Sequence, residues 1–131
     1  MNTPRHLRLN LQEITSFLGV GGISAIAHYG VLIAFTELLS VSPLISSTLG
    51  FISGGIVNYL LNYHFTFRSE KAHSAAIQRF FIVAFTGMVI NTGLMAVFYE
   101  WLDIQYLLAQ VVTTAFVTLW TYIMGKKWTF V

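Results

Sequence analysis

The sequence predicts an all-α membrane protein, with four transmembrane helices in one domain over residues 1–131 and both termini in the cytoplasm. Three observations predict it. Four apolar stretches recur, each about as long as the ~20 residues that a spanning helix needs. Charged residues make up 9% of the chain and mean hydropathy is +0.71, whereas a soluble domain carries roughly 25% charged residues. All seven Lys and Arg fall in three places: Arg5 and Arg8, then Arg68, Lys71 and Arg79, then Lys126 and Lys127. The other two connections hold none. Cytoplasmic loops are enriched in Lys and Arg, while Asp and Glu carry little topological weight, so this alternation orients the chain.

The first helix is expected at about 14–39, closed by the turn-forming Ser40–Pro43. It follows a polar, basic start and lacks a small-residue cleavage site, so it is expected to be retained rather than removed as a signal peptide. The second is expected at about 44–63, just after Pro43, since proline is favoured where a helix begins. The polar segment from Arg68 to Ser74 reads as a cytoplasmic loop. The third and fourth helices are expected at about 77–102 and 106–124. Tyr63, Trp101, Tyr106 and Trp128 fall near the predicted ends, where aromatic rings favour the interface. The net charge of +2 is explained by basic residues gathered on one membrane face, and no basic stripe or recognised module points to nucleic acid. Cysteine is absent, which excludes disulfide and thiolate chemistry.

The chain also repeats itself. A shift of 63 residues pairs Phe17 with Phe80, Gly30 with Gly93, Glu37 with Glu100, Tyr59 with Tyr122, and Thr66-Phe67 with Thr129-Phe130. Each unit holds two helices, so both would cross the bilayer in the same sense. The expectation is two parallel-repeat helical hairpins related by an axis along the membrane normal.

Polar groups within a span are costly and mark either a site or a packing contact. His28 and its repeat mate Asn91 lie midway along the first and third helices. They read as interhelical hydrogen-bonding groups or as steps on a polar path. No second His or carboxylate stands near His28 at helical spacing, so no metal site is expected. Glu37 and Glu100 sit at equivalent external helix ends, either solvated or flanking the mouth of a path and able to hydrogen-bond sugar hydroxyls. Small residues from Gly19 to Ala27 and from Ser46 to Gly55 suit close helix packing, or a groove that admits a lipid tail.

Asn58 and Asn62 share a helix face one turn apart, followed by His64 and Arg68. Lys126 and Lys127 close the fourth helix beside Trp128. Amides and cations gathered at one depth suit a phosphate or pyrophosphate, because charge-assisted hydrogen bonds are the strong ones. Positive-inside anchoring with an aromatic belt explains the same residues. No carboxylate pair within the membrane, phosphate-binding glycine loop or Ser/His/Asp arrangement is present. Neither enzyme activity nor a cofactor is expected.

The segment from Asn58 to Phe67 resembles the GtrA-like family of small four-helix membrane proteins, with its Asn-aromatic-x-x-Asn-basic-x-aromatic-Thr/Val-Phe pattern. Phe17-Leu18-Gly19-Val20-Gly21-Gly22 is similar to that family's opening, and Lys126-Lys127-Trp128-Thr129-Phe130 to its close. The resemblance covers about residues 14–131. The chain departs from the family at Tyr63, where Arg or Lys is usual, which would pass the cationic role to His64 or Arg68.

The resemblance implies flipping of a polyprenyl-phosphate-linked sugar, such as undecaprenyl-phosphate-hexose, across the bacterial inner membrane for O-antigen, cell-wall or other glycan modification. On that expectation Asn58, Asn62, His64, Arg68, Lys126 and Lys127 hold the phosphate head group. His28, Asn91, Glu37 and Glu100 then mark the path. Four short helices enclose little volume, so a homo-oligomer, most simply a dimer, is expected among membrane lipids and glycosyltransferase partners. Two alternatives stand: a non-transporting subunit that docks a glycosyltransferase, and a small multidrug-type exporter.

Overall fold

The computed structural model describes residues 5–65, 70–124 and 127, with side chains described for most of them. Helix α1 runs Arg5–Ile33 and ends in a π-helical turn, Ala34–Leu38. Helix α2 covers Pro43–Phe65, and α3 covers Glu70–Met95 with its own π-helical turn, Ala96–Trp101. Helix α4 is Tyr106–Met124. Four segments are long and apolar enough to cross a membrane: Ile14–Leu38, Pro43–Leu61, Ile77–Trp101 and Tyr106–Met124. They match the expected spans to within about two residues at each end.

The helices themselves run further than the apolar stretches. Helix α1 begins at Arg5, and α3 begins at Glu70, inside the segment expected to be a loop. Glu, Lys and Ala are good helix formers, so Glu70-Lys71-Ala72 continues the helix beyond the apolar span. Hydropathy bounds the buried length and not the hydrogen-bonded one.

The two short connections are built alike. Ser40 and Asp103, which stand 63 positions apart, both adopt φ of 56°. The amide after each π turn reaches back six residues: Val41 N–H to Phe35 O and Ile104 N–H to Phe98 O, each at 2.9 Å. This is the helix-closing bond of a left-handed cap, widened by the π geometry. The next helix then starts on a side-chain acceptor. Ser42 Oγ takes the Ile45 amide at 3.4 Å, and Gln105 Oε1 takes the Leu108 amide at 3.0 Å. Both occupy the position where a side-chain oxygen satisfies an orphan amide, and Pro43 follows Ser42 where its missing N–H costs nothing.

The core is thin and largely polar. Among the described residues of the first half the buried positions are Ser24, His28, Leu32, Ser46, Ser47, Gly50 and Gly54. The residues 63 further on, Gly87, Asn91, Met95, Ala109, Gln110, Thr113 and Val117, are buried too. Val83 is also buried. Large apolar side chains such as Ile26, Leu38 and Phe85 point outward, at 75%, 80% and 62% exposure. That inversion suits a chain solvated by lipid. Apolar burial no longer drives helices together there, and packing with hydrogen bonds takes over.

Candidate functional site

Three side chains from three helices close a ring inside the bundle, about one turn in from the starts of α2 and α4. Ser47 on α2 donates to Gln110 Oε1 on α4. Gln110 Nε2 donates to Asn91 Oδ1 on α3 at 2.9 Å, and Asn91 Nδ2 donates back to Ser47 Oγ at 2.9 Å. All three residues are fully buried. The ring reaches α1 through Thr114, whose Oγ1 accepts from Gln110 Nε2 at 3.2 Å and shares a 2.8 Å bond with the Tyr29 hydroxyl. Thr48 and Thr92 add a second α2–α3 bond at 2.8 Å. Hydrogen bonds in a closed low-dielectric circuit polarise one another. The ring carries no formal charge, so the core is polar without the desolvation cost of an ion.

His28 lies beside the ring, faced by Gln110 and the Ser47 backbone, with the Phe51 ring edge-on at 5.9 Å. Its Nε2 makes no hydrogen bond, and neither do the buried Ser24 Oγ and Thr113 Oγ1. Glycines bring α2 against this stretch of α1. A Cβ at Gly50 would sit 2.5 Å from the His28 carbonyl oxygen, and one at Gly54 would sit 2.9 Å from that of Ser24. Of the two expectations for the small residues, Gly50 and Gly54 fulfil close packing, and no tail fits between these backbones. Gly19, Gly21, Gly22, Gly30, Gly55 and Gly93 have open space instead.

A groove does exist, between α2 and α3. It has a volume of about 450 Å³ and its walls include Phe51, Ile56, Tyr59, Phe81, Phe85 and Met88. Asn58 precedes Tyr59, and Arg79 precedes Phe80, whose ring is 6.0 Å from that of Tyr59. Tyr59 and Phe80 mark the end of the groove remote from the two short connections, and neither Asn58 nor Arg79 is part of its lining. At the opposite end of the bundle, the Tyr106 hydroxyl donates to Glu37 Oε1 at 2.7 Å, tying the end of the first span to the start of α4.

The family model of the GtrA/DPMS transmembrane domain matches residues 16–130. The chain belongs to that family. It is a multi-pass membrane protein, and membership of the GtrA/DPMS family associates it with polyprenyl-phosphate sugars. Comparison with curated proteins and with solved structures gives no match.

Within this GtrA/DPMS domain, Asn91 enters the polar ring and His28 flanks it. Glu37 is exposed and bonded to Tyr106, while Glu100 is exposed in the second π turn. Asn58 is half-buried, and Lys127 is exposed. Asn62 and His64 are described through their helical backbone alone, and Arg68 and Lys126 lie outside the described residues. No cluster of metal-ligating side chains occurs among the described residues.

Sequence reasoning placed Ser47 only among the small packing residues and missed Gln110 and Thr113. A single Ser, Gln or Thr in an apolar run has no periodic signature. The signal was available in the repeat, because Ser47 and Gln110 occupy paired positions, but they are different residue types and an identity-based comparison passes over them.

Proposed function

We propose that this GtrA/DPMS protein flips a polyprenyl-phosphate-linked sugar from the cytoplasmic to the periplasmic face of a bacterial inner membrane, with no covalent chemistry of its own. The observation that carries this reading is the uncharged polar ring of Ser47, Asn91 and Gln110, buried in a domain whose outer surface is apolar. Moving a phosphate into hydrocarbon costs tens of kcal/mol in the ideal limit, so a carrier must offer hydrogen bonds at depth. The unpartnered atoms of His28, Ser24 and Thr113 beside the ring offer them.

In this reading both termini are cytoplasmic, and two parallel-repeat hairpins surround the ring. The recurrence of buried positions, π turns and left-handed residues at a spacing of 63 supports that arrangement. Asn58, Asn62, His64, Arg68, Lys126 and Lys127 recruit the phosphate, the head group passes His28 and Asn91, and Glu37 and Glu100 meet the sugar outside while repelling the phosphate. Pairing of two copies supplies the volume that one small bundle lacks.

Replacing Lys126 and Lys127 with Gln tests the reading against a role in docking a glycosyltransferase. Two lost cations near a membrane surface are expected to weaken polyprenyl-phosphate binding about thirtyfold. Unchanged lipid binding with lost glycosyltransferase association would contradict the proposal.

A further inference from the structure

The four helices do not close on one another evenly. Among the described residues, α1 runs close along α2, and α3 packs against both α2 and α4, while α1 and α4 scarcely approach each other through their backbones. Glycine explains the first contact, since Gly50 and Gly54 leave no room for a Cβ beside the His28 and Ser24 carbonyls. Between α1 and α4, polar side chains span the distance instead. The Tyr29 hydroxyl shares a 2.8 Å bond with Thr114 Oγ1, and the Tyr106 hydroxyl donates to Glu37 Oε1 at 2.7 Å. The internal repeat supplies a comparison, because the α2–α3 seam is the repeat mate of the α4–α1 seam. There Thr48 and Thr92 share a 2.8 Å bond, and Thr92 is the repeat mate of Tyr29. Two Thr hydroxyls meet only where their backbones are near. A Tyr hydroxyl stands a whole ring farther from its own backbone, so a bond of the same length bridges a wider gap.

Tyr29 and Thr114 stand between this gap and the buried polar groups. Thr114 accepts from Gln110 of the ring at 3.2 Å, and the Tyr29 ring lies 5.3 Å from that of His28, whose Nε2 has no hydrogen bond. On the far side of the pair the walls are small or polar. Gly21 and Ala25 share a helix face with Tyr29, and a Cβ at Gly21 would meet nothing within 4 Å. Thr118, one turn beyond Thr114, is exposed. The cost of parting the helices also differs from seam to seam. Parting α2 from α3 breaks the Ser47–Asn91 bond, and parting α3 from α4 breaks the Gln110–Asn91 bond. Parting α1 from α2 forfeits close backbone packing. Helix α1 has no member in the ring, so parting it from α4 beside Tyr29 breaks one bond between neutral hydroxyls, which is worth little in a membrane.

We propose that the bundle opens sideways between α1 and α4, in the half remote from the short connections, with the Tyr29–Thr114 hydrogen bond as its latch and the Glu37–Tyr106 bond as its fixed end. The proposal rests on the flippase reading for what passes. A hydrogen-bonding head group enters through the seam and takes up the two freed hydroxyls on its way to the ring, while its hydrocarbon chain stays in the bilayer. Helices α2, α3 and α4 keep the ring intact throughout. Tyr29 and Thr114 thereby gain a role as gate residues.

Spin labels test the opening directly in the full chain, which has no native cysteine to interfere. One pair sits on outward positions of α1 and α4, Ile26→Cys with Phe116→Cys, and a second on α2 and α3, Leu49→Cys with Val89→Cys. The chain is reconstituted in vesicles of phosphatidylethanolamine and phosphatidylglycerol containing undecaprenyl-phosphate hexose. Pulsed dipolar spectroscopy is expected to give the first pair two distances and the second pair one. Tyr29→Phe keeps the aromatic ring and removes the bond. It is expected to raise the share of the longer distance about threefold, the weight of one interhelical hydrogen bond in a membrane. A single α1–α4 distance that Tyr29→Phe leaves unmoved would overturn the proposal, as would a second distance confined to α2–α3. Transport supplies the other readout. A reducible bis-thiol reagent joining Tyr29→Cys to Thr114→Cys is expected to stop exchange of the lipid between leaflets, and reduction to restore it. The same link between Tyr59→Cys and Phe81→Cys, whose native rings lie 5.5 Å apart across α2–α3, is expected to leave exchange unchanged. Exchange that survives the α1–α4 link would defeat the seam and leave the flippase reading standing. Two α1–α4 distances without exchange would do the reverse.

Discussion

Ser47 and Gln110, one on α2 and one on α4, stand 63 residues apart and share the hydrogen bond that closes the buried ring. Each ring member donates once and accepts once around the circuit, so no single polar group is dispensable. Gln110→Leu strands Asn91 and Ser47 together and is expected to destabilise the protein by about 1–3 kcal/mol, the cost of unsatisfied buried groups. Ser47→Ala is expected to cost less, about 0.6–2 kcal/mol, as for interhelical hydrogen bonds in membranes. Combined, the two should cost less than their sum, because the ring is already broken. Reversible unfolding in mixed detergent micelles measures all three, and strict additivity would mean that the ring does not act as a unit.

Neighbouring glycines on α2 should behave oppositely. A Cβ at Gly50 would lie 2.5 Å from the His28 carbonyl oxygen and 2.7 Å from its Cδ2, whereas one at Gly55 meets nothing within 4 Å. Gly50→Ala must push α1 away from α2 and is expected to destabilise by about 1–3 kcal/mol, as overpacking does. Gly55→Ala is expected to stabilise by about 0.4–1 kcal/mol through reduced freedom of the unfolded chain. The same unfolding assay compares them, and equal effects would contradict the packing described.

These two sets of residues also mark how far the sequence could be read. The spans were legible because an apolar stretch of bilayer length has few other uses, and the chain from Ile77 to Trp101 is such a stretch. The helical start at Glu70 was not, since polar residues of high helix propensity look the same in a loop and in an extended helix. His28 and Asn91 stood out as costly groups in lipid. Gln110 escaped, because its role depends on partners on α2 and α3 that are distant along the chain. The groove escaped for the same reason. Gly55 and Ala84 look like ordinary packing residues until α2 and α3 are set side by side.

At the other end of the bundle, Tyr106 donates to Glu37. An amide oxygen still accepts that proton, more weakly than a carboxylate does, and the pair is exposed, so Glu37→Gln is expected to lower stability by no more than about 0.5 kcal/mol. It removes the charge that repels the phosphate, so release of the lipid on the outer face is expected to slow while uptake on the inner face stays unchanged. Separate kinetics for the two faces in sided vesicles check this. Slowed uptake with unchanged release would reverse the assigned orientation of the chain.

The central claim, passage of a polar head group through this bundle, is tested most directly in liposomes holding folded protein and a polyprenyl-phosphate hexose, with the head group on each leaflet scored by an impermeant reagent. The account predicts rapid exchange between leaflets that requires the protein and slows when Gln110 or Asn91 is replaced by Leu. Equal rates with and without folded protein would contradict it.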